Sequence, residues 1–197
     1  KSSGCTILEM AYSIGLMVGI ILFYNHIGKR RITQDPRPIE VSMRSYEKDL
    51  TEEKYEELAK VVIKLCEKAG TTLILHRFPE VVHHLGYDKL HLPLEMLKTI
   101  GRPEGLTLLG TSIHSVEDAK EAGRLGADYV FAGNIFETDC KKGLPGRGLE
   151  FLENVCKEVD IPVYAIGGIT AEKMPQILGT GAAGGCMMSG FMQLKEK

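Results

Sequence analysis

The sequence lacks three features, and each absence argues against a kind of site or partner. Its five cysteines are scattered along 197 residues with no Cys-x-x-Cys pair, which argues against a zinc site or a disulfide framework and favours reduced thiols in a cytoplasmic protein. No GxGxxG motif follows the first strand, which disfavours a dinucleotide site. The formal net charge of -2 gives no reason to expect nucleic acid or an acidic membrane as partner. The 44% hydrophobic content is enough for one domain with a substantial core.

From Leu50 onward, short apolar runs alternate with segments that have apolar residues at helical spacing. A clear helix follows Thr51, a good N-cap, and Gly70 ends it. Other predicted elements are strands Thr72–Leu75, Lys89–Leu92, Leu106–Leu109, Tyr129–Ala132, Pro162–Ile166 and Cys186–Met188 and helices Leu94–Ile100 and Ser115–Leu125. Alternation of this kind implies a parallel sheet with right-handed crossovers. We therefore expect an α/β fold, a (β/α)8 TIM barrel, with a doubly wound open sheet as the alternative.

One segment does not fit this pattern. Ile7–Tyr24 is nearly all apolar, with only Glu9 charged, and basic residues follow it. Its length makes it a marginal candidate for a membrane span. The alternatives are a buried strand and helix of the domain, or a segment that is not the native start of the domain, and we do not expect a membrane protein.

Two late strands end in glycine-marked turns. Gly167-Gly168 follows the strand Pro162–Ile166, and Ser189-Gly190 follows Cys186–Met188. Exposed backbone amides at such turns form anion sites, and the loops after strands 7 and 8 are the usual phosphate site of this barrel. The pair of turns predicts a phosphate site.

The loop Thr138–Gly148 combines a hydroxyl, three cations and several glycines after an apolar strand. Its cations include Lys141 and Lys142, so we expect a lid that closes positive charge over a phosphorylated substrate. The alternative is a solvated surface loop.

Several histidines fall at the predicted strand ends. His114 and Ser112 follow Leu106–Leu109, and His76 and His91 also lie near strand ends. Histidine titrates near working pH, which suits it to proton transfer. The alternative is local hydrogen bonding, and none of them is diagnostic on its own.

The segments GTSIHSVEDA, GADYVFAGNIFETDCKKGLPGRG, IPVYAIGGIT and GGCMMSG together resemble the thiamine phosphate synthase/TenI family, over Glu47 to Gly190. FETDCKKGLPGRG is closest to the TenI branch. The resemblance implies a (β/α)8 barrel that binds thiazole phosphate. Synthases of the family release pyrophosphate from an aminopyrimidine diphosphate, and the thiazole nitrogen captures the resulting cation. TenI proteins instead isomerise a thiazole carboxylate phosphate by moving a proton.

The resemblance also implies roles for individual residues. Its phosphate pocket corresponds to Gly167, Gly168, Met188 and Ser189. Lys48, Ser112 and Thr138 match other positions of the family's site, and His76 and Asn134 stand where the family carries different residues. Together with Lys142 of the charged loop, these are the expected substrate-binding residues. His114 and Lys141 also match motifs of the family, and we expect both to be catalytic, with His114 as the most available acid–base group.

Three departures bear on the reaction. Where the synthase pattern has an Asn-Asp pair with a metal-binding Asp, this chain has His76-Arg77, and Met96 replaces a second metal Asp. We therefore expect no metal and no other cofactor, with Mg²⁺ needed only if the protein is a synthase. Asn134 stands where TenI tautomerases carry the histidine thought to move the proton. The main expectation is a TenI-like thiazole tautomerase that uses His114; the alternatives are a thiamine phosphate synthase and a non-catalytic phosphate-ligand sensor.

The resemblance stops abruptly near Tyr46. We expect residues 1–45 to be an anomalous segment and residues 46–197 to be the barrel domain, the alternative being a diverged first unit with Ile20–Tyr24 as its strand. After Ser189 the sequence is about one helix shorter than the resemblance implies. We therefore expect the barrel to be incomplete at its first and last units. A homo-oligomer is compatible with such a barrel, although no surface stripe in the sequence indicates one.

Overall fold

Eight strands close into a barrel in a computed structural model that describes residues 18–23, 40–45, 51–69, 72–138 and 143–187. In chain order, which is also their order around the barrel, they are β1 (Val18–Phe23), β2 (Glu40–Ser45), β3 (Thr72–His76), β4 (Lys89–Pro93), β5 (Leu108–Ile113), β6 (Tyr129–Gly133), β7 (Val163–Ile166) and β8 (Gly184–Met187). The expected barrel is confirmed, and the open doubly wound sheet is wrong because β1 and β8 pair and close the sheet.

Helices follow strands β2 to β7. They are α1 (Glu52–Ala69), α2 (Pro79–His84), α3 (Leu94–Ile100), α4 (Val116–Arg124), α5 (Gly148–Glu158) and α6 (Met174–Gly179), the last preceded by a 3-10 turn at Ala171–Lys173. The start of α4 shows why they begin where they do. The Ser115 hydroxyl accepts a hydrogen bond from the Asp118 amide at 3.0 Å and so satisfies a free N–H of the first turn.

The first strand differs from the expected architecture in its direction. β2 to β8 run parallel to one another, whereas β1 is antiparallel to both of its neighbours, with Val18 opposite Ser45 and Leu22 opposite Met187. A strand in this gap supplies hydrogen-bond partners to the edges of β2 and β8 in either direction, so closure does not require it to be parallel. The expected gaps after the first and last units fall on residues 24–39 and 188–197, outside the described residues.

Apolar side chains form two layers because strand residues alternate between the two faces of the sheet. The outer layer lies between the sheet and the helices, and its cluster includes Leu73 and Leu75 of β3 and Ala59 of α1. The inner layer lies inside the barrel and, among the described residues, includes Ile74, Tyr129, Phe131, Tyr164 and Cys186. A packed interior leaves the carboxyl edge of the strands as the place for a site.

The extent of β5 was predicted incorrectly. The sequence predicts Leu106–Leu109, whereas the strand runs from Leu108 to Ile113. Gly110 and the polar residues after it read as a loop, but their backbone groups pair with β4 and with β6. The strand therefore carries Ser112 inside the sheet rather than on a loop.

Within the described parts of the chain, no helix is both long enough and apolar enough to cross a membrane. Much of the candidate segment Ile7–Tyr24 lies outside those parts, and its described portion, Val18–Phe23, is strand β1.

Candidate active site at the carboxyl ends of the strands

Three neighbouring strands bring predicted site residues to one edge of the barrel. β5, β6 and β7 end at Ile113, Gly133 and Ile166, and the register pairs Ile113 with Ala132 and Gly133 with Ile166. The residues that follow these ends, which include His114, Asn134 and Gly167, therefore share one rim, as the sequence predicts.

His114 is held by two backbone contacts. Its Nδ1 lies 2.9 Å from the carbonyl oxygen of Gly133, and its amide donates to the Asp118 carboxylate at 2.9 Å. A carbonyl oxygen only accepts, so Nδ1 carries the proton and Nε2 of the neutral ring carries the lone pair. The ring can therefore accept a proton at Nε2 from a group at the rim.

Asn134 is 6% exposed, and its Nδ2 lies 3.5 Å from the Pro145 carbonyl oxygen. Its backbone oxygen accepts from the Arg147 amide at 2.9 Å, which ties together the two ends of the loop between β6 and α5. An amide does not titrate near neutral pH. Asn134 is thus placed to shape the rim and not to move a proton.

The Gly167-Gly168 turn packs tightly on the loop after β6. A Cβ on Gly167 would lie 2.7 Å from the Asn134 Cβ, and a Cβ on Gly168 would lie 2.4 Å from the Glu137 carbonyl oxygen. The Phe136 amide donates to the Gly167 oxygen at 3.1 Å. Among the described residues, the amides of Gly167 and Gly168 have no hydrogen-bond acceptor. Close approach explains the two glycines, and their amides can bind an anion.

Lys173 secures this turn and was not singled out from the sequence. Its Nζ donates to the Gly168 carbonyl oxygen at 2.7 Å and lies 4.2 Å from the centroid of the Phe136 ring. The sequence did contain a signal for this role, because Lys173 lies five residues after the glycine pair, in the turn that leads into α6. It adds a cation beside the candidate anion site.

The ends of β3 and β4 form a second part of the rim. The His76 amide donates to the Tyr55 hydroxyl at 2.8 Å, and burial raises the pKa of that phenol, which keeps it protonated. Arg77 has a left-handed backbone, with φ of 75°, and its amide donates to the His91 oxygen at 3.0 Å. Its exposed side chain has no ion-pair partner among the described residues. This corner therefore presents positive charge.

Ser112 belongs to a buried network that sequence analysis did not assign. Its Oγ lies 2.9 Å from Nε2 of His91, whose Nδ1 lies 3.1 Å from the Tyr129 hydroxyl. His91 is 1% exposed and stacks on His76 at 5.5 Å between ring centroids. Its position between buried Leu90 and Leu92 was the available signal, because alternation turns it toward the barrel interior.

Some predicted site residues have no structural description. Lys48, Lys141, Lys142, Met188 and Ser189 lie outside the described residues, so their roles stay predictions. Thr138 is half-buried at the end of a described range and makes contacts of its own.

The fold and the rim define an eight-stranded α/β barrel of the TIM type with a candidate anion site at the carboxyl edge. A sequence profile described as thiamine monophosphate synthase matches residues 41–191. The thiamine-phosphate synthase of Caldivirga maquilingensis is 37% identical over 140 residues, covering 70% of this chain and 68% of that protein. Thiamine-phosphate synthase 2 of Streptococcus pneumoniae is 35% identical over 157 residues, covering 76% and 73%.

A solved structure, the thiamine phosphate pyrophosphorylase of Pyrococcus furiosus, superposes with a TM-score of 0.66 at 30% identity over 79% of this chain and 75% of that one. The chain belongs to the thiamine monophosphate synthase family. The predicted resemblance is therefore confirmed, together with a place in thiamine biosynthesis and a small-molecule substrate. The comparisons do not distinguish the TenI branch, and the relatives' names fit the synthase alternative better than the tautomerase.

Proposed function

We propose that this protein is a thiamine-phosphate synthase, a cytoplasmic enzyme that joins an aminopyrimidine diphosphate to a thiazole phosphate. The observation that carries the choice is Asn134, which is buried and faces a carbonyl group where a tautomerase would need a titratable histidine. The names of the relatives support the same reaction. In this reaction the C–O bond to the diphosphate breaks, its electron pair leaves with pyrophosphate, and the thiazole nitrogen forms the new C–N bond.

The rim offers groups for both substrates. The amides of Gly167 and Gly168, with Met188 and Ser189 as the predicted remainder of the pocket, bind the thiazole phosphate. Ser112 and His114 face the diphosphate, with Lys48 and His76 as further predicted contacts. Thr138, Lys141 and Lys142 close over the bound pair, so that cations surround the departing pyrophosphate.

The family resemblance implies Mg²⁺ held by two aspartates, and the residues present do not fit that ion. Mg²⁺ prefers oxygen ligands, whereas the two positions carry a guanidinium at Arg77 and a half-buried thioether at Met96. In the described ranges no three His, Cys, Asp or Glu side chains cluster in a way that suits a metal. We therefore assign the neutralisation of the diphosphate to side-chain cations.

This assignment predicts catalysis without a divalent cation. Adding EDTA is expected to change the rate of pyrophosphate release by less than about twofold, because the charge that stabilises the leaving group is covalently part of the chain. The assay follows pyrophosphate from the aminopyrimidine diphosphate in the presence of thiazole phosphate, with and without EDTA or added Mg²⁺. A rate that disappears with EDTA and returns with Mg²⁺ would contradict the assignment.

The same samples test the proposed function itself. Proton NMR distinguishes the condensation product from an isomerised thiazole carboxylate phosphate. Condensation supports the synthase, whereas isomerisation without condensation replaces it with the tautomerase, for which the lone pair on Nε2 of His114 is the favouring observation. Binding of thiazole phosphate without either product indicates the sensor.

Lys173→Met tests whether Lys173 supports the Gly167-Gly168 turn. Loss of the charged hydrogen bond to the Gly168 oxygen is expected to weaken thiazole phosphate binding by about 1–2 kcal/mol while the fold persists. Calorimetric titration measures the affinity. The control is Lys157→Met, which removes a surface ion pair to Glu153 and is expected to leave binding unchanged. Equal affinities for the two variants would rule out this role of Lys173.

A further inference from the structure

Three side chains form a chain of hydrogen bonds, the Tyr129–His91–Ser112 line, through the barrel interior. The Tyr129 hydroxyl lies 3.1 Å from Nδ1 of His91, and Nε2 of His91 lies 2.9 Å from the Ser112 hydroxyl. Ser112 is near the carboxyl end of β5, and Tyr129 is the first residue of β6. The line therefore leads from the interior of the barrel to the rim.

The strand register explains how the line forms. His91 pairs with Gly110 on β5, and Gly110 pairs with Tyr129 on β6, so the three positions form one row. Gly110 contributes no side chain to this row, and a Cβ there would lie 2.0 Å from Cζ of Tyr129. The tyrosine ring thus crosses over Gly110 to reach His91. Ser112 is two residues further along β5 and one layer closer to the rim.

Packing fixes the imidazole of His91 in the plane that this line requires. The ring stacks on Phe131 with 4.5 Å between centroids and an angle of 26°, and on His76 with 5.5 Å and 14°. At 1% exposure, rotation would displace both neighbours. The two ring nitrogens therefore stay directed at the two hydroxyl groups.

A neutral imidazole has one donor and one acceptor, so the hydrogen bonds of the line can run in either of two directions. In the outward direction Tyr129 donates to Nδ1, and Nε2–H donates to the Ser112 oxygen. The serine then directs its own hydrogen to the rim. An anion at the rim selects this direction, because it accepts the hydrogen bond from the serine and each donor in the line strengthens the next.

We propose that His91 and Tyr129 are positioning residues that make Ser112 a hydrogen-bond donor to an oxyanion bound at the rim. The inference rests on the proposed function to the extent that the oxyanion is the diphosphate of the substrate. Inorganic pyrophosphate is the probe, because it is the anion that the proposed reaction releases.

A double-mutant cycle on pyrophosphate affinity tests the line. Ser112→Ala is expected to weaken pyrophosphate binding about tenfold, because it removes one hydrogen bond to a charged group. Tyr129→Phe is expected to weaken binding about threefold to fivefold, because it removes the hydrogen bond that strengthens the one from Ser112. The double variant is expected to bind like Ser112→Ala alone, because the proposed effect of Tyr129 on pyrophosphate passes through the serine. Calorimetric titration supplies the affinities.

Two controls separate positioning from folding. Tyr87→Phe removes a hydroxyl that donates to the Leu73 oxygen at 2.8 Å outside the line, and it is expected to lower stability but leave pyrophosphate affinity unchanged. His91→Gln keeps a donor and an acceptor, so it is expected to bind pyrophosphate more tightly than His91→Leu.

Additive effects in the cycle, or an unchanged affinity in Tyr129→Phe, would overturn the proposed line while the proposed function stands. If the unmodified protein does not bind pyrophosphate, the proposed line is overturned, and condensation in the NMR assay decides the proposed function separately. A coupled cycle in a protein that binds pyrophosphate supports both.

Discussion

Replacing Gly168 with alanine is expected to reduce pyrophosphate release by more than about 100-fold and to destabilise the protein by about 2–4 kcal/mol. Gly168 has φ of 63°, and the new Cβ would lie 2.4 Å from the Glu137 carbonyl oxygen and 2.8 Å from the Phe136 Cβ. The first of these contacts is with backbone, so the turn itself has to move. The amides proposed to hold the phosphate move with it.

Gly179→Ala is the matched control for Gly168→Ala. Gly179 ends α6, and a Cβ there would meet nothing within 4 Å. Since alanine costs less conformational entropy than glycine in a helix, this variant is expected to be neutral or up to about 1 kcal/mol more stable, with unchanged turnover. Urea denaturation and the pyrophosphate assay measure both effects. Wild-type kinetics in Gly168→Ala would show that the turn does not hold a substrate.

The strands could be predicted where hydrophobic pattern and turn residues agree. Tyr129–Ala132 was predicted one residue short of β6, and helix α3 was predicted with its observed bounds, Leu94–Ile100. The direction of β1 could not be predicted, because an apolar run such as Val18–Phe23 reads the same whichever way the strand runs. Direction depends on the hydrogen-bond partners that β2 and β8 provide.

The candidate site likewise has a part that local sequence patterns predict and a part that depends on contacts between residues far apart in sequence. The shared rim of His114, Asn134 and Gly167-Gly168 could be predicted because the carboxyl ends of parallel strands meet at one edge. The contacts of His91 could not be predicted, because its partners are Ser112, 21 residues away, and Tyr129, 38 residues away. Their meeting depends on the register of three strands and on the missing side chain of Gly110, which no local pattern reports.

The charge at residue 77 should decide whether catalysis uses a metal. In the presence of EDTA, Arg77→Asp is expected to slow pyrophosphate release by about 100-fold, because it replaces a cation near the proposed diphosphate with an anion. At an effective dielectric constant near 20, one unit of charge at about 6 Å is worth about 3 kcal/mol, so the change of two units is enough for a loss of about 100-fold. The pyrophosphate assay in EDTA measures the loss.

Arg77→Asn is the control that separates charge from backbone shape. The left-handed backbone at this position, with φ of 75°, suits asparagine and aspartate better than arginine, so neither variant should strain the loop. Arg77→Asn is therefore expected to show an intermediate loss, with a melting temperature at or above that of the unmodified protein. Combining Arg77→Asp with Met96→Asp restores both acids that the family resemblance implies, and Mg²⁺ is then expected to raise the rate. An Arg77→Asp variant that keeps full activity in EDTA would show that this corner of the rim does not meet the diphosphate.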